Sequence, residues 1–147
     1  MKLSKGFTLI ELMVALGIVA VLSTFAFGGY QDSLRNANFR LTRDVAEKVA
    51  LVQQQHRQEF GQYASTVQTT GTPSANVLVL SEGVDYQITI SQANFRDFTA
   101  KVTPSKRNIQ GPTQCWTVQV NSQQGYLKFS ALNQQQQDTT AECMPNG

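Results

Sequence analysis

Lys5-Gly6-Phe7-Thr8-Leu9-Ile10-Glu11-Leu12-Met13-Val14-Ala15-Leu16 opens an apolar run that continues to Phe27. Between Phe7 and Phe27 only Thr8, Glu11, Ser23 and Thr24 carry polar side chains, and Glu11 is the one charge. As a helix rising ~1.5 Å per residue, those residues extend roughly 31 Å, about the thickness of a bilayer core. Lys2 and Lys5 stand ahead of the run. Positive residues before an apolar span hold that end in the cytoplasm, so the remainder is expected outside it. The segment reads as a membrane anchor.

A cleaved secretory signal has a basic start, a short apolar region of roughly 7–15 residues and a small-residue site after it. Here the run is longer, no A-x-A site closes it, and Gly6 precedes it. A plain single-pass anchor accounts for the length but gives no reason for Glu11. A carboxylate in hydrocarbon costs about 2.5–3.5 kcal/mol on insertion scales and usually marks a paired, functional position. No lysine or arginine within the span can pair with it. Either its partner comes from elsewhere or it is protonated.

Gly6-Phe7-Thr8-Leu9-Ile10-Glu11-Leu12-Met13-Val14 resembles the type III signal of type IV pilins and of the related secretion pseudopilins. The resemblance implies cleavage between Gly6 and Phe7 by a membrane prepilin peptidase, and methylation of the new Phe7 amine. It also implies that Glu11 neutralises the amino terminus of a neighbouring subunit during filament assembly. Two buried opposite charges pair more cheaply than either stands alone.

With 147 residues, the chain suits one domain plus its anchor. Without Lys2 and Lys5 the basic residues fall from 12 to 10, equal to the 10 acidic ones. No global field then favours nucleic acid or metal loading. Two cysteines, Cys115 and Cys143, in an exported chain read as one disulfide.

Gly28-Gly29 loosens, bends or ends the first helix, since glycine costs ~1 kcal/mol against alanine there. Tyr30, Leu34, Ala37, Leu41, Val45, Val49, Val52, His56 and Phe60 then recur every three or four residues, predicting an amphipathic helix to about Phe60. Gly61 is its expected C-cap. Residues 65–83 are Thr-, Ser-, Gly- and Pro-rich and read as a loop with a short helical or extended piece, packed by Val77-Leu78-Val79-Leu80. Four alternating runs follow, Tyr86–Ile90, Phe98–Val102, Trp116–Val120 and Tyr126–Ser130. They predict an antiparallel sheet with one buried face. Asn121 to Gly125 is the clearest hairpin signal among them.

The tail from Asn133 is polar and shows no strand pattern. A Cys115–Cys143 bridge would close a loop of about 27 residues, worth roughly 3–4 kcal/mol in the loop-entropy model. Such a bridged terminal loop is similar to the carboxy-terminal region of type IV pilins. The order of strands and cysteines most resembles the minor pilins that prime or cap the filament.

His56 is the single histidine, and neither a nucleophile nor a set of ligands is spaced around it. It reads as a packing residue, and Trp116 as core beside Cys115. No enzyme, cofactor or metal site is expected. Lys101, Lys106, Arg107 and Lys128 form either a solvated face or a basic patch for DNA phosphates, which some minor pilins of the resembled family bind. The glutamine runs at 53–55 and 134–137 suggest no mechanism.

The expected fold is α+β, a long amino-terminal helix packed in its second half against a four-stranded antiparallel sheet. Residues 1–6 are a leader, 7–29 an apolar membrane and filament-core helix, and 30–147 a periplasmic or extracellular domain. By resemblance the partners are the prepilin peptidase, an inner-membrane assembly platform and other pilin subunits. The chain would sit in the inner membrane before assembly and in the pilus afterwards. A minor pilin is the first reading. The others are a major pilin, a type II secretion pseudopilin and, in another class, a membrane-tethered DNA- or ligand-binding module.

Overall fold

The computed structural model describes residues 7–81, 85–106 and 109–145. The elements run α1 (Leu9–Phe60), β1 (Thr66–Gln68), β2 (Val77–Val79), β3 (Tyr86–Ser91), β4 (Phe98–Pro104), β5 (Thr117–Gln123), β6 (Tyr126–Leu132) and α2 (Thr140–Cys143). The fold is α+β and pilin-like. The backbone stays helical through Gly28-Gly29. Contacts divide the chain into two compact units, with the boundary between Leu34 and Arg35.

In the second unit, helix α1 buries Phe39, Thr42, Ala46, Val49, Ala50, Gln53 and His56. This corrects the stripe expected from apolar identity alone. Of its members Val49 and His56 are buried and Val45 and Val52 half-buried, but Leu34 and Leu41 are 47% and 50% exposed. The buried row includes two polar members, both satisfied inside. The Thr42 hydroxyl donates to the Asn38 carbonyl at 3.0 Å, and Gln53 finds a backbone partner. Buried polar groups with partners carry little penalty. Gly61, at φ 76°, ends the helix, its N–H donating to the Arg57 carbonyl at 2.9 Å, as the C-cap reading expected.

The main sheet has the order β3-β4-β5-β6, antiparallel throughout. Register aligns Ile88, Val102, Val118 and Ala131 across the strands, and Ile90, Ala100, Val120 and Phe129 in the next row. These rows pack with the buried residues of α1 in one core. Each fully buried valine there contributes roughly 1.5–3 kcal/mol.

Two details differ from the alternation reading. Strand β5 starts at Thr117, leaving Trp116 half-buried outside it rather than in the core cluster. The β5–β6 connection is two residues, not five. Gln124 and Gly125, at φ 50° and 88°, make the left-handed turn that matches strand twist, so pairing extends to Gln123 and Tyr126. As expected, the segment between helix and sheet holds a short extended piece, the parallel pair β1–β2, with Leu78 of the apolar patch buried.

The tail is tied down at several points. Cys115 and Cys143 form the expected disulfide, with Cα atoms 5.8 Å apart. The Thr139 N–H donates to the Ala131 carbonyl at 2.8 Å, and the Ala131 N–H donates to the Thr140 hydroxyl at 2.9 Å. Gly111 lies under this region, where an added Cβ would meet the Cys115 carbonyl at 2.9 Å and Phe39 Cβ at 3.1 Å.

Candidate functional site

The amino-terminal segment is built around Thr8 and Glu11. Thr8 is the residue before the first helical position, and Glu11 is the third residue inside. The Glu11 N–H donates to the Thr8 hydroxyl at 3.3 Å. In return Glu11 Oε2 accepts from the Thr8 N–H at 3.2 Å and from its hydroxyl at 3.0 Å. This is a capping box, which satisfies two donors that helix geometry leaves unpaired. The carboxylate also lies at the positive end of the helix dipole. The signal of the box in the sequence is the Thr-x-x-Glu spacing of Thr8 and Glu11.

Between Glu11 and Leu22 the helix has no polar face. Leu9, Ile10, Leu12, Met13, Val14, Leu16, Ile18, Val19, Val21 and Leu22 are each 56–78% exposed. The span is long and apolar enough to cross a membrane, with mean hydropathy 2.3 over its best window. Ser23 and Thr24 donate their hydroxyls to the carbonyls of Val19 and Val21, both at 2.7 Å. Their polarity is thus satisfied within the helix, which suits apolar surroundings. Phe7 is described and 87% exposed, whereas Gly6, the other side of the expected cleavage site, lies outside the described residues.

The four basic residues considered for DNA are distributed as follows. Lys101 Nζ donates to Gln136 Oε1 at 2.6 Å, so the terminal glutamine run touches the outer face of the sheet. Lys106 is ion-paired with Asp85. Lys128 lies on β6, with β5 between it and the Lys101 strand. Arg107 lies outside the described residues. His56 is buried, stacked 4.6 Å from Phe60, with Nδ1 3.0 Å from the Gln62 carbonyl and Nε2 2.7 Å from that of Ser74. It ties the helix end to the following loop.

Residues 1–27 match the prokaryotic N-terminal methylation motif. The chain therefore carries the amino-terminal motif of a type IV prepilin on a pilin-like α+β fold. It is 47% identical over 51 residues to a protein named Fimbrial protein from Pseudomonas aeruginosa, covering 35% of this chain and 32% of that one. It is 54% identical over 37 residues to Prepilin peptidase-dependent protein D of Escherichia coli (strain K12), covering 25% of each chain. The matches thus span a third or less of these relatives.

Proposed function

We propose that this chain is a structural subunit of a type IV pilus, cleaved between Gly6 and Phe7, methylated on the Phe7 amine and polymerised through α1. The observation that carries the reading is the pairing of the methylation motif with a helix whose first part, from Leu12 to Leu22, is apolar on every side. Such a surface is stable only in lipid or among copies of similar helices. Because both environments are apolar, packing and polar pairing must favour the filament over the bilayer. Glu11 supplies the polar pairing by meeting the methylated amine of a neighbouring subunit. Its capping box holds the carboxylate at the helix start, where that amine must arrive.

Within the same system the reading is a minor pilin, supported by the bridged terminal loop and by the strand order it resembles. The decisive experiment replaces Glu11→Ala and compares leader removal with recovery in sheared filaments. Normal cleavage with loss from filaments is expected. Full incorporation of the variant would remove the pairing role.

A further inference from the structure

At the turn end of the sheet, the β3–β4 and β5–β6 connections enclose a groove of about 770 Å³, within the size range of small-molecule sites. Its lining includes Gln92, Asn94, Asp97, Gln123, Gln124 and Tyr126. Tyr126 is 82% exposed, an aromatic ring standing at the rim with no core role.

The floor is held rigidly. Asn94 Oδ1 accepts from the N–H groups of Arg96 and Asp97 at 2.7 and 2.8 Å. Asp97 Oδ1 accepts from the Gln124 N–H at 2.9 Å, which joins the two connections. These bonds leave the Asn94 amide nitrogen and the second Asp97 oxygen without a protein partner among the described residues. The side chains of Gln92, Gln123 and Gln124 and the Tyr126 hydroxyl likewise make no hydrogen bond among them.

Backbone conformation supplies a second observation. Gln92 takes a φ of 57°, a region uncommon for residues other than glycine, asparagine or aspartate. It borders the groove, whereas the φ of Gln124 is set by the β5–β6 turn. Strained residues of this kind concentrate at ligand sites, where the placement of a side chain outweighs its cost.

Planar amides and one carboxylate around an exposed aromatic ring suit a polyhydroxylated, uncharged ligand. Amide and carboxylate groups can each engage adjacent hydroxyls, while the apolar C–H face of a pyranose covers a ring such as that of Tyr126. Single-stranded nucleic acid requires a basic channel as well as stacking. Among the described residues no basic side chain lines this groove, and the nearby Arg96 guanidinium lies over Phe95 at 5.2 Å. We propose that the groove between the β3–β4 and β5–β6 connections is a binding site for a neutral glycan, stacked on Tyr126.

The test is saturation-transfer NMR on the full chain in phosphocholine micelles, because maltoside detergents would themselves compete. The probes are lactose, N-acetyllactosamine, maltotriose, cellotriose and chitotriose, with an oligodeoxythymidine as comparator. At least one glycan should receive saturation, strongest on its ring C–H protons. Tyr126→Ala should weaken binding about fivefold to tenfold, and Tyr126→Phe should retain it. Gln123→Ala should weaken it too, whereas Gln134→Ala in the tail should not. A backbone amide spectrum unchanged away from position 126 confirms that each variant is folded. Silence from every glycan, undiminished transfer in folded Tyr126→Ala, or binding of the oligodeoxythymidine alone would overturn the proposal.

Discussion

Gln53 and Ala64 exchange two hydrogen bonds, as neighbouring strands do. The Gln53 amide nitrogen donates to the Ala64 carbonyl at 2.9 Å, and Gln53 Oε1 accepts from the Ala64 N–H at 2.9 Å. Both residues are fully buried. A side chain of α1 thereby completes the backbone pairing of the chain just past the helix end, where no strand partner stands. Replacing it with a shape-similar apolar residue strands a donor and an acceptor in the core. Gln53→Leu should cost about 2–5 kcal/mol, read as a fall in the urea midpoint at unchanged m-value. A midpoint within experimental error of the parent would show that the pairing contributes nothing.

The terminal loop has its own electrostatic anchor. Asp138 Oδ1 accepts from the Thr140 hydroxyl at 2.6 Å and from the Thr140 N–H at 2.9 Å. The hydroxyl bond first and the backbone bond second hold this carboxyl below the usual carboxylate range. A depressed value stabilises the fold above the unfolded-state value, and that contribution is lost as pH falls through the folded-state value. NMR titration should therefore find the Asp138 midpoint below that of an unstructured aspartate, and Thr140→Val should raise it. A midpoint unaffected by Thr140→Val would separate the geometry from the titration.

Removing the Cys115–Cys143 bridge should loosen the same region selectively. The Cys115→Ser, Cys143→Ser double variant is expected to lose roughly 3–4 kcal/mol. Hydrogen exchange should accelerate most from Asn133 to Pro145, whereas β4 and β5, paired on both sides, should remain the slowest elements. Uniform acceleration across the sheet would mean that the tail and sheet unfold together.

The capping box gives Thr8 a role distinct from that of Glu11. Thr8→Val removes the hydroxyl while leaving the carboxylate, and should destabilise the first helical turn by about 1 kcal/mol. Filament incorporation should then fall less than in Glu11→Ala, with cleavage intact. Equal loss in the two variants would show that the hydroxyl matters as much as the charge.

Much of this architecture was legible because its signals are local. The apolar span follows from composition, the strands from alternation, the helix stop from Gly61, and the bridge from the chain's two cysteines. The buried row of the helix was not legible. Leu34 and Leu41 extend an apolar stripe through Val49 as well as Phe39 and Ala46 do, and the buried row adds Thr42 and Gln53, which need partners inside. Those partners are remote or lie in the backbone, where composition cannot reveal them. The same holds for the glutamines. Gln53 in the core, Gln136 at Lys101 and Gln124 in the left-handed turn act through geometry, so a compositional reading gave them no purpose. The strand β1, three residues long, has too little alternation to register at all.

The central claim is that Phe7 becomes the first residue of an assembled filament subunit. Intact mass and amino-terminal sequencing of the chain from sheared surface filaments and from membranes test it most directly. The account predicts filament chains that begin at Phe7, one methyl group heavier than the bare cleaved polypeptide, and scarce relative to the main subunit. A chain confined to membranes and still beginning at Met1 would contradict it.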